Sequence, residues 1–399
     1  MKEKKELSLY IHIPFCVKKC NYCDFLSFSS KEEEKERYVQ ALCDEIKQYQ
    51  SLQNNYRIQT IFFGGGTPSL LKEEQMERIF SYIHKSFQVD QNAEITVEMN
   101  PNTITESKLK CYQQIGINRL SLGLQTTNNE RLKLLGRIHT YEQFLEGYEL
   151  ARKLGFSNIN IDLMSALPTE RLYDYQLDLE RIISLQPEHI SSYSLIMEEG
   201  TPFYNNDKIF EQLPTEEEDR QMYEMTEQML LEAGYGRYEI SNYAKNGKEC
   251  KHNVVYWTGK EYLGLGLGAS SYLYSNSSFI QKEKILGNDI YGIRFKNTSD
   301  FIEYNEKSYV PILEREELEL QGKQDTMEEF MFLGLRLTKG IDKKEFLYKF
   351  GVSIEEVYGK QIEKYVNLQL LQWEQDGRLY LTKRGLDVSN TIFSDFLLE

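Results

Sequence analysis

At 399 residues the chain exceeds the length that one hydrophobic core organises, so two domains are expected. Apolar residues make up 40% and charged residues 27%, a balance that excludes a disordered chain. The 62 acidic against 47 basic side chains give a formal net charge of −15, which repels phosphate backbones and argues against nucleic acid as a partner.

The opening MKEKKELSLYIHIPFC is basic and then alternates like a strand, without the apolar stretch or small-residue cleavage site of a secretion signal. No apolar run approaches the roughly 18–20 residues that cross a bilayer, and a cytoplasmic location is expected. Of six cysteines, Cys16, Cys20 and Cys23 crowd into eight residues, while Cys43, Cys111 and Cys250 are scattered. A disulfide framework suits a small secreted domain; in a reducing compartment clustered cysteines point to metal.

In chain order, 8–14 (SLYIHIP) reads as a buried strand and leads into the cysteine loop. A helix over 31–52 places Tyr38, Leu42, Ile46 and Tyr49 on one face. The apolar strand 58–63 ends in three glycines, and a helix follows over 72–86. Further strands are expected at 94–99, 119–125, 159–164 and 189–196, with helices near 104–114, 141–154 and 170–185. Six strands separated by helices make parallel βαβ units, and so an α/β fold with an open or closed barrel. The cysteines, the glycines, Glu98, Gln125 and Asp162 fall at or just past the C-terminal ends of these strands, where such folds gather ligands.

Beyond about residue 215 the regularity fades. A helix over 215–233 precedes YEISNYAK, KHNVVYW and the glycine-rich YLGLGLGASSY. Residues 299–329, polar and acidic, read as a connector or helical bridge. The chain from EEFMFLGLRL onward reads as a small C-terminal helical domain, and GRLYLTKRGL with DVSNTIFSDFLL gives it a winged-helix-like close. The expected divisions are a core barrel over 1–240, an extension carrying HNVVYW over 241–325, and the C-terminal domain over 326–399.

Cys16, Cys20 and Cys23 are spaced C-x3-C-x2-C. Three thiolates on a short loop can wrap an iron–sulfur cube and leave one iron open to a further ligand. The competing reading is a structural zinc, completed by His12, although zinc sites more often pair two Cys-x2–4-Cys units and no second unit exists here. The loop YIHIPFC-x3-C-x-YC resembles that of the radical S-adenosylmethionine (SAM) enzymes, in particular the oxygen-independent coproporphyrinogen III oxidase group, and the resemblance runs through almost the whole chain. It implies a partial (β/α)6 radical SAM barrel with a 4Fe-4S cluster on Cys16, Cys20 and Cys23. In that family SAM chelates the open iron, and an electron from the cluster cleaves it to a 5′-deoxyadenosyl radical.

The resemblance also implies SAM-binding residues. Gly65, Gly66 and Thr67 belong to the glycine motif after the second strand, where glycine lets backbone approach a ligand closely; a plain tight turn is the alternative. Glu98, Gln125, Arg137 and Asp162 match family positions in the SAM pocket, and Tyr10 and Tyr22 match two more. The family can hold two SAM molecules, with Gly66, Thr67, Gln125, Arg137 and Asp162 nearer the second.

Two departures separate this chain from the oxidases. Where they carry a further cysteine two residues after the third ligand, this chain has Phe25, and its first cluster cysteine is already residue 16. Both departures, with His252-Asn253-Val254-Val255-Tyr256-Trp257, resemble the heme chaperones of the same group. His252 and Tyr256 stand at i, i+4 spacing beside the Trp257 indole; His and Tyr can ligate heme iron and aromatic rings suit a macrocycle, while packing of the barrel is the competing reading. The implied cofactors are a 4Fe-4S cluster, SAM and heme. The implied partners are heme, acceptor hemoproteins (membrane-associated ones among them) and a reductant protein. The oxidase activity itself, a radical enzyme acting on a tetrapyrrole, and a zinc-stabilised barrel stand as alternatives. The glycine run 264–270 lacks the spacing of a dinucleotide fingerprint and reads as close backbone packing near the cofactor mouth.

Overall fold

The computed structural model describes residues 4–277, 290–307, 309–315 and 317–398; residues 278–289, inside the extension expected over 241–325, lie outside the described residues. Strands β1 (Lys5–Ile13), β2 (Tyr56–Gly65), β3 (Val89–Met99), β4 (Arg119–Gln125), β5 (Ile159–Ser165) and β6 (His189–Ser194) lie side by side in chain order, every neighbouring pair parallel. The helices Glu32–Gln48, Glu73–Ser86, Glu106–Gln114, Tyr141–Lys153 and Leu172–Ser184 provide the crossovers. Strands β1 and β6 do not pair with each other, so the barrel is partial, as its sequence suggests.

Strands of a parallel sheet are usually apolar on both faces, because both faces are dry. Here they alternate. Leu9, Ile11 and Ile13 on β1, Ile61 and Phe63 on β2, Leu120, Leu122 and Leu124 on β4, and Ile159, Ile161 and Leu163 on β5 are fully buried in one continuous core. The residues between them include Tyr10, His12, Thr60, Glu98, Arg119, Ser121 and Asp162. A period of two sends one set to the helices and the other to the lumen. The lumen is therefore polar, which a packed barrel would not tolerate without a function for it.

The later chain extends the same sheet at both edges. Strands β7 (Gly236–Arg237) and β8 (Asn242–Ala244) continue beyond β6, with β8 antiparallel to it. On the other side β9 (Tyr262–Leu265) pairs parallel to β1, followed outward by β10 (Ser270–Tyr274), β11 (Ile290–Lys296) and β12 (Leu318–Gly322). Twelve strands thus form one sheet among the described residues. The expectation of a connector over 299–329 needs correction: it holds β12 and the start of the helix Lys323–Gly334. An edge strand with a wet face, LELQG, carries too little apolar signal to be read as a strand.

The C-terminal unit has its own core of Phe346, Phe350, Ile354, Tyr358, Leu379 and Phe396. Helices Lys343–Phe350 and Ile354–Asn367 pack with a small sheet of β13 (Ile341–Asp342), β14 (Leu371–Trp373) and β15 (Arg378–Leu381), in the order β13-β15-β14. This is the winged-helix-like shape expected. Ion pairs Arg220–Asp387 (2.6 Å) and Lys383–Glu227 (2.7 Å) tie it to the helix Glu216–Glu232. Among the described residues no helix is long and apolar enough to cross a membrane.

Candidate functional site

The C-terminal ends of β1 to β6 surround a cavity of about 340 Å³, within the range of small-molecule sites. Its wall includes Cys16, Cys20 and Cys23 on one side and Gly65, Gly66 and Thr67 on another. Glu98, Gln125, Arg137, Asp162 and Tyr22 complete the set predicted from sequence. Only Tyr10 of the SAM candidates stands apart. It lines an adjoining cavity of about 220 Å³ deeper in the lumen, which shares Glu98, Ser121, Asp162, Ser191 and Asn253 with the first.

The cysteine loop is held by backbone and by one asparagine. Gly66 N donates to Ile13 O (2.8 Å) and Thr67 N to Phe15 O (2.7 Å), joining the glycine turn to the root of the loop. A Cβ on Gly66 would stand 2.8 Å from Phe15 O, and Gly65 has φ +109°, so both positions require glycine. Asn21, mid-loop, accepts from Phe203 N at its backbone O and donates from its own N to Leu135 O, both at 2.9 Å, and its side-chain amide donates to Leu134 O (2.8 Å). Cys16 Sγ lies 3.6 Å from Thr67 Oγ1, and Arg137 Nη1 donates to Cys20 Sγ at 3.7 Å. Burial works against the Arg137 charge, but Tyr22 and Cys20 beside it hold the guanidinium protonated. Its Nε is buried without a partner.

The thiols face one cavity, yet no three His, Cys, Asp or Glu among the described residues converge as ligands for one metal ion. Thiolates spread around a space suit the corners of a cluster better than a zinc tetrahedron. Nor is His12 free to complete such a tetrahedron: Nδ1 lies 3.0 Å from Tyr10 Oη and Nε2 lies 2.9 Å from Leu26 O. Burial also pushes the Cys23 thiol up, so a metal taking its thiolate displaces a proton.

Behind the loop lies the glycine run. A Cβ on Gly266 would meet His12 O at 2.6 Å, and one on Gly268 would meet Leu26 at 2.5 Å, so the run packs closely against the cysteine loop, as expected.

Opposite the cysteines, Glu98 Oε2 accepts from Gly65 N (3.2 Å). Burial, then the charge of Asp162, pushes Glu98 up to about 8. Burial likewise raises Asp162, opposed by the Asn160 amide, which donates to Asp162 Oδ1 at 2.7 Å, and by Arg119 and Arg137. Gln125 has φ +78° where the β4–β5 register shifts, a non-glycine residue held in the left-handed region at the cavity wall; Tyr193 Oη donates to its Oε1 (3.2 Å). A carboxylate whose folded pKa is raised loses stability as pH rises from its ordinary 4.5 toward 8, because the folded state holds the extra proton. The cofactor-free protein is therefore expected to unfold at lower urea concentration at about pH 8 than at about pH 5. Glu98→Gln should flatten that slope by on the order of a few kcal/mol; equal slopes in the two proteins would contradict the assignment.

The HNVVYW segment forms the helix Lys251–Trp257 and reaches into the lumen. Glu94 on β3 caps it, accepting from Lys251 N and His252 N at 3.1 Å each, and Cys250 Sγ donates to it at 3.6 Å. His252 is buried: Nδ1 lies 2.7 Å from Thr60 Oγ1, Nε2 lies 2.9 Å from Tyr256 Oη, and its ring stacks on Phe62 at 5.2 Å. Burial, then Arg119, lowers His252 to about 3, so the ring is neutral. The structure brings His252 and Tyr256 together in the deeper cavity, but turns Trp257 away, under Arg336 at 4.4 Å and against the C-terminal unit. Both His252 nitrogens are already engaged, and no single surface presents all three rings to a macrocycle.

Sequence reasoning missed Asn253, Ser241, Asn242 and Tyr193, which also line the main cavity. Asn253 sat in view inside the motif, but its aromatic neighbours carry the stronger signal. Ser241 and Asn242 come from a strand and turn too short to carry a pattern.

A thiol-lined cavity at the C-terminal edge of a partial parallel barrel defines a radical SAM protein, and the radical SAM superfamily model matches residues 10–182, with the HemN C-terminal domain model over 322–388. Heme chaperone HemW of Lactococcus lactis subsp. lactis (strain IL1403) is 36% identical over 99% of this chain and 98% of its own length, and that of Bacillus subtilis (strain 168) is 34% identical over 98% and 99%. The chain belongs to the heme chaperone HemW family. Among solved structures, coproporphyrinogen III oxidase (HemN) from Escherichia coli superposes with a TM-score of 0.81, covering 99% of this chain and 90% of the other; at 22% identity it shows the shared fold.

Proposed function

We propose that the chain is a heme chaperone that carries a 4Fe-4S cluster and SAM in the barrel mouth and delivers heme to acceptor hemoproteins. The observation that carries the cofactor part is the cavity itself: three thiols, a glycine cradle, two half-buried carboxylates and a half-buried guanidinium with a buried, unpartnered Nε all face one space. Full-length similarity to proteins named heme chaperones supports the delivery role. Cys16, Cys20 and Cys23 hold the cluster, which supplies single-electron chemistry to SAM when both are bound.

The chain's own residues set the electrostatics. Arg137 offsets thiolate charge at Cys20. Gly65 and Gly66 let the backbone approach the ligand closely, while Gly66 N stays bonded to Ile13 O and Gly65 N fixes the Glu98 carboxyl. Glu98 and Asp162 offer acceptors to an ammonium or hydroxyl group, and a cation arriving there lowers both from their raised values. Tyr22 and Gln125 shape the wall, with Tyr10 below. In this reading His252 and Tyr256 form the floor of the lumen. A cytoplasmic location, a reductant protein for the cluster and hemoprotein acceptors, membrane-associated ones included, complete the proposal.

The test is anaerobic reconstitution with iron and sulfide, hemin titration, and a parallel incubation with coproporphyrinogen III, SAM and reductant. Hemin binding near one per chain without conversion to protoporphyrinogen IX is expected. Conversion would make the chain an oxidase despite Phe25.

A further inference from the structure

Exposed apolar side chains stand on the loops around the main cavity, among charged ones that include Lys18, Asp24 and Glu199. Phe25 is 65% exposed and Ile196 68% exposed, and Val17, Ile138 and Tyr204 are exposed as well. All five stand on loops gathered at the C-terminal edge. Phe25 lines the cavity, Val17 follows Cys16, and Ile138 follows Arg137. Ile196 lies three residues beyond the cavity-lining Tyr193, and the segment with Tyr204 is joined to the cysteine loop through Phe203 N and Asn21 O. Exposed apolar groups concentrated around a site mark an interaction surface.

Lys18 and Lys19 follow each other on the same rim of a chain whose net charge is −15. Lys18 lines the cavity and makes no hydrogen bond or ion pair among the described residues, while Lys19 Nζ donates to Phe25 O at 2.8 Å. The edges beside the mouth are already paired: β1 lies between β2 and β9, and β6 between β5 and β8. An extended peptide therefore finds no strand to join there. Exposed apolar side chains on the mouth loops, beside two adjacent ammonium groups, fit a flat apolar ligand that carries carboxylates.

Resting on the heme-chaperone reading above, we propose that heme seats on this rim, across the barrel mouth, with its propionates toward Lys18 and Lys19 and its macrocycle on Phe25 and Ile196. The deeper His252–Tyr256 floor is not its site.

Hemin titration of the full-length reconstituted protein, followed by absorbance, tests the seat. The double variant Phe25→Ser/Ile196→Ser is expected to bind hemin at least about tenfold more weakly, because the macrocycle no longer covers apolar surface at those two positions. Both side chains are exposed, so an unchanged urea midpoint verifies folding. Lys18→Glu should weaken hemin several-fold, roughly the scale of one ion pair, and should not weaken the dimethyl ester of hemin, which lacks the charges. Full-strength binding by the folded rim variants, or a loss confined to His252→Gln, would overturn the seat. Failure of the unsubstituted protein to bind hemin would overturn the heme-chaperone reading and the seat with it.

Discussion

Replacing any one of Cys16, Cys20 and Cys23 with alanine will leave the anaerobically reconstituted protein with less than about one iron per chain, against about four in the parent. The loop is pinned at its root by the glycine turn and at its centre by Asn21, so the two remaining thiols cannot regroup around a cube. The other cysteines offer no rescue. Burial pushes Cys43 and Cys250 each up to about 12 and Cys111 up to about 11, and a ligand must be a thiolate. Cys43→Ala, on the helix Glu32–Gln48, should keep the parent's iron and sulfide content. Arg137→Leu should load iron less completely, because it removes the guanidinium that donates to the Cys20 sulfur while leaving all three ligands. Iron and acid-labile sulfide per chain decide the matter; one zinc and no iron in the parent would sink the cluster assignment.

Glu94→Ala is expected to cost about 3–5 kcal/mol of folding stability, as removal of one partner from a buried charged network does. The carboxylate caps the helix Lys251–Trp257 from outside it and lies near the fully buried Arg119, whose Nε has no partner of its own. Its loss leaves the Lys251 and His252 N–H groups without their acceptor and removes a negative charge near the Arg119 guanidinium. Glu94→Gln keeps one acceptor oxygen and should fall between the two. Urea unfolding reads the effect directly, and an alanine variant within about 1 kcal/mol of the parent would show that the helix is anchored by its aromatic contacts instead.

The six-strand barrel was legible because most of its strands alternate and five of them end in or near a residue with chemistry. Cys16, Gly65, Glu98, Gln125 and Asp162 sit where strand periodicity placed them, and they share one cavity. Strands β7 to β12 were not legible as part of the same sheet. They are short, several have a wet face, and the pairings that join them to the barrel, β9 with β1 and β8 with β6, span long stretches of sequence. HNVVYW was legible as a motif but its geometry was not. Sequence spacing puts His252 and Tyr256 on one face, and the structure uses that face to hydrogen-bond the two to each other. Which way Trp257 points depends on the C-terminal unit, through Arg336. The lumen wall given by Asn242 and Asn253 required the path of the chain after β6.

The parallel pairing of β1 with β9 orders events in the cell as well as atoms in the fold. Leu9 meets Leu263, so the strand that leads into the cluster loop waits about 250 residues of synthesis for its outer neighbour. At roughly 5–20 residues per second that wait is on the order of tens of seconds on the ribosome. Through that interval β1 keeps an unpaired edge, and the glycine run that packs behind Leu26 has not yet emerged. Stable cluster loading is thereby placed after about two thirds of the chain has been made.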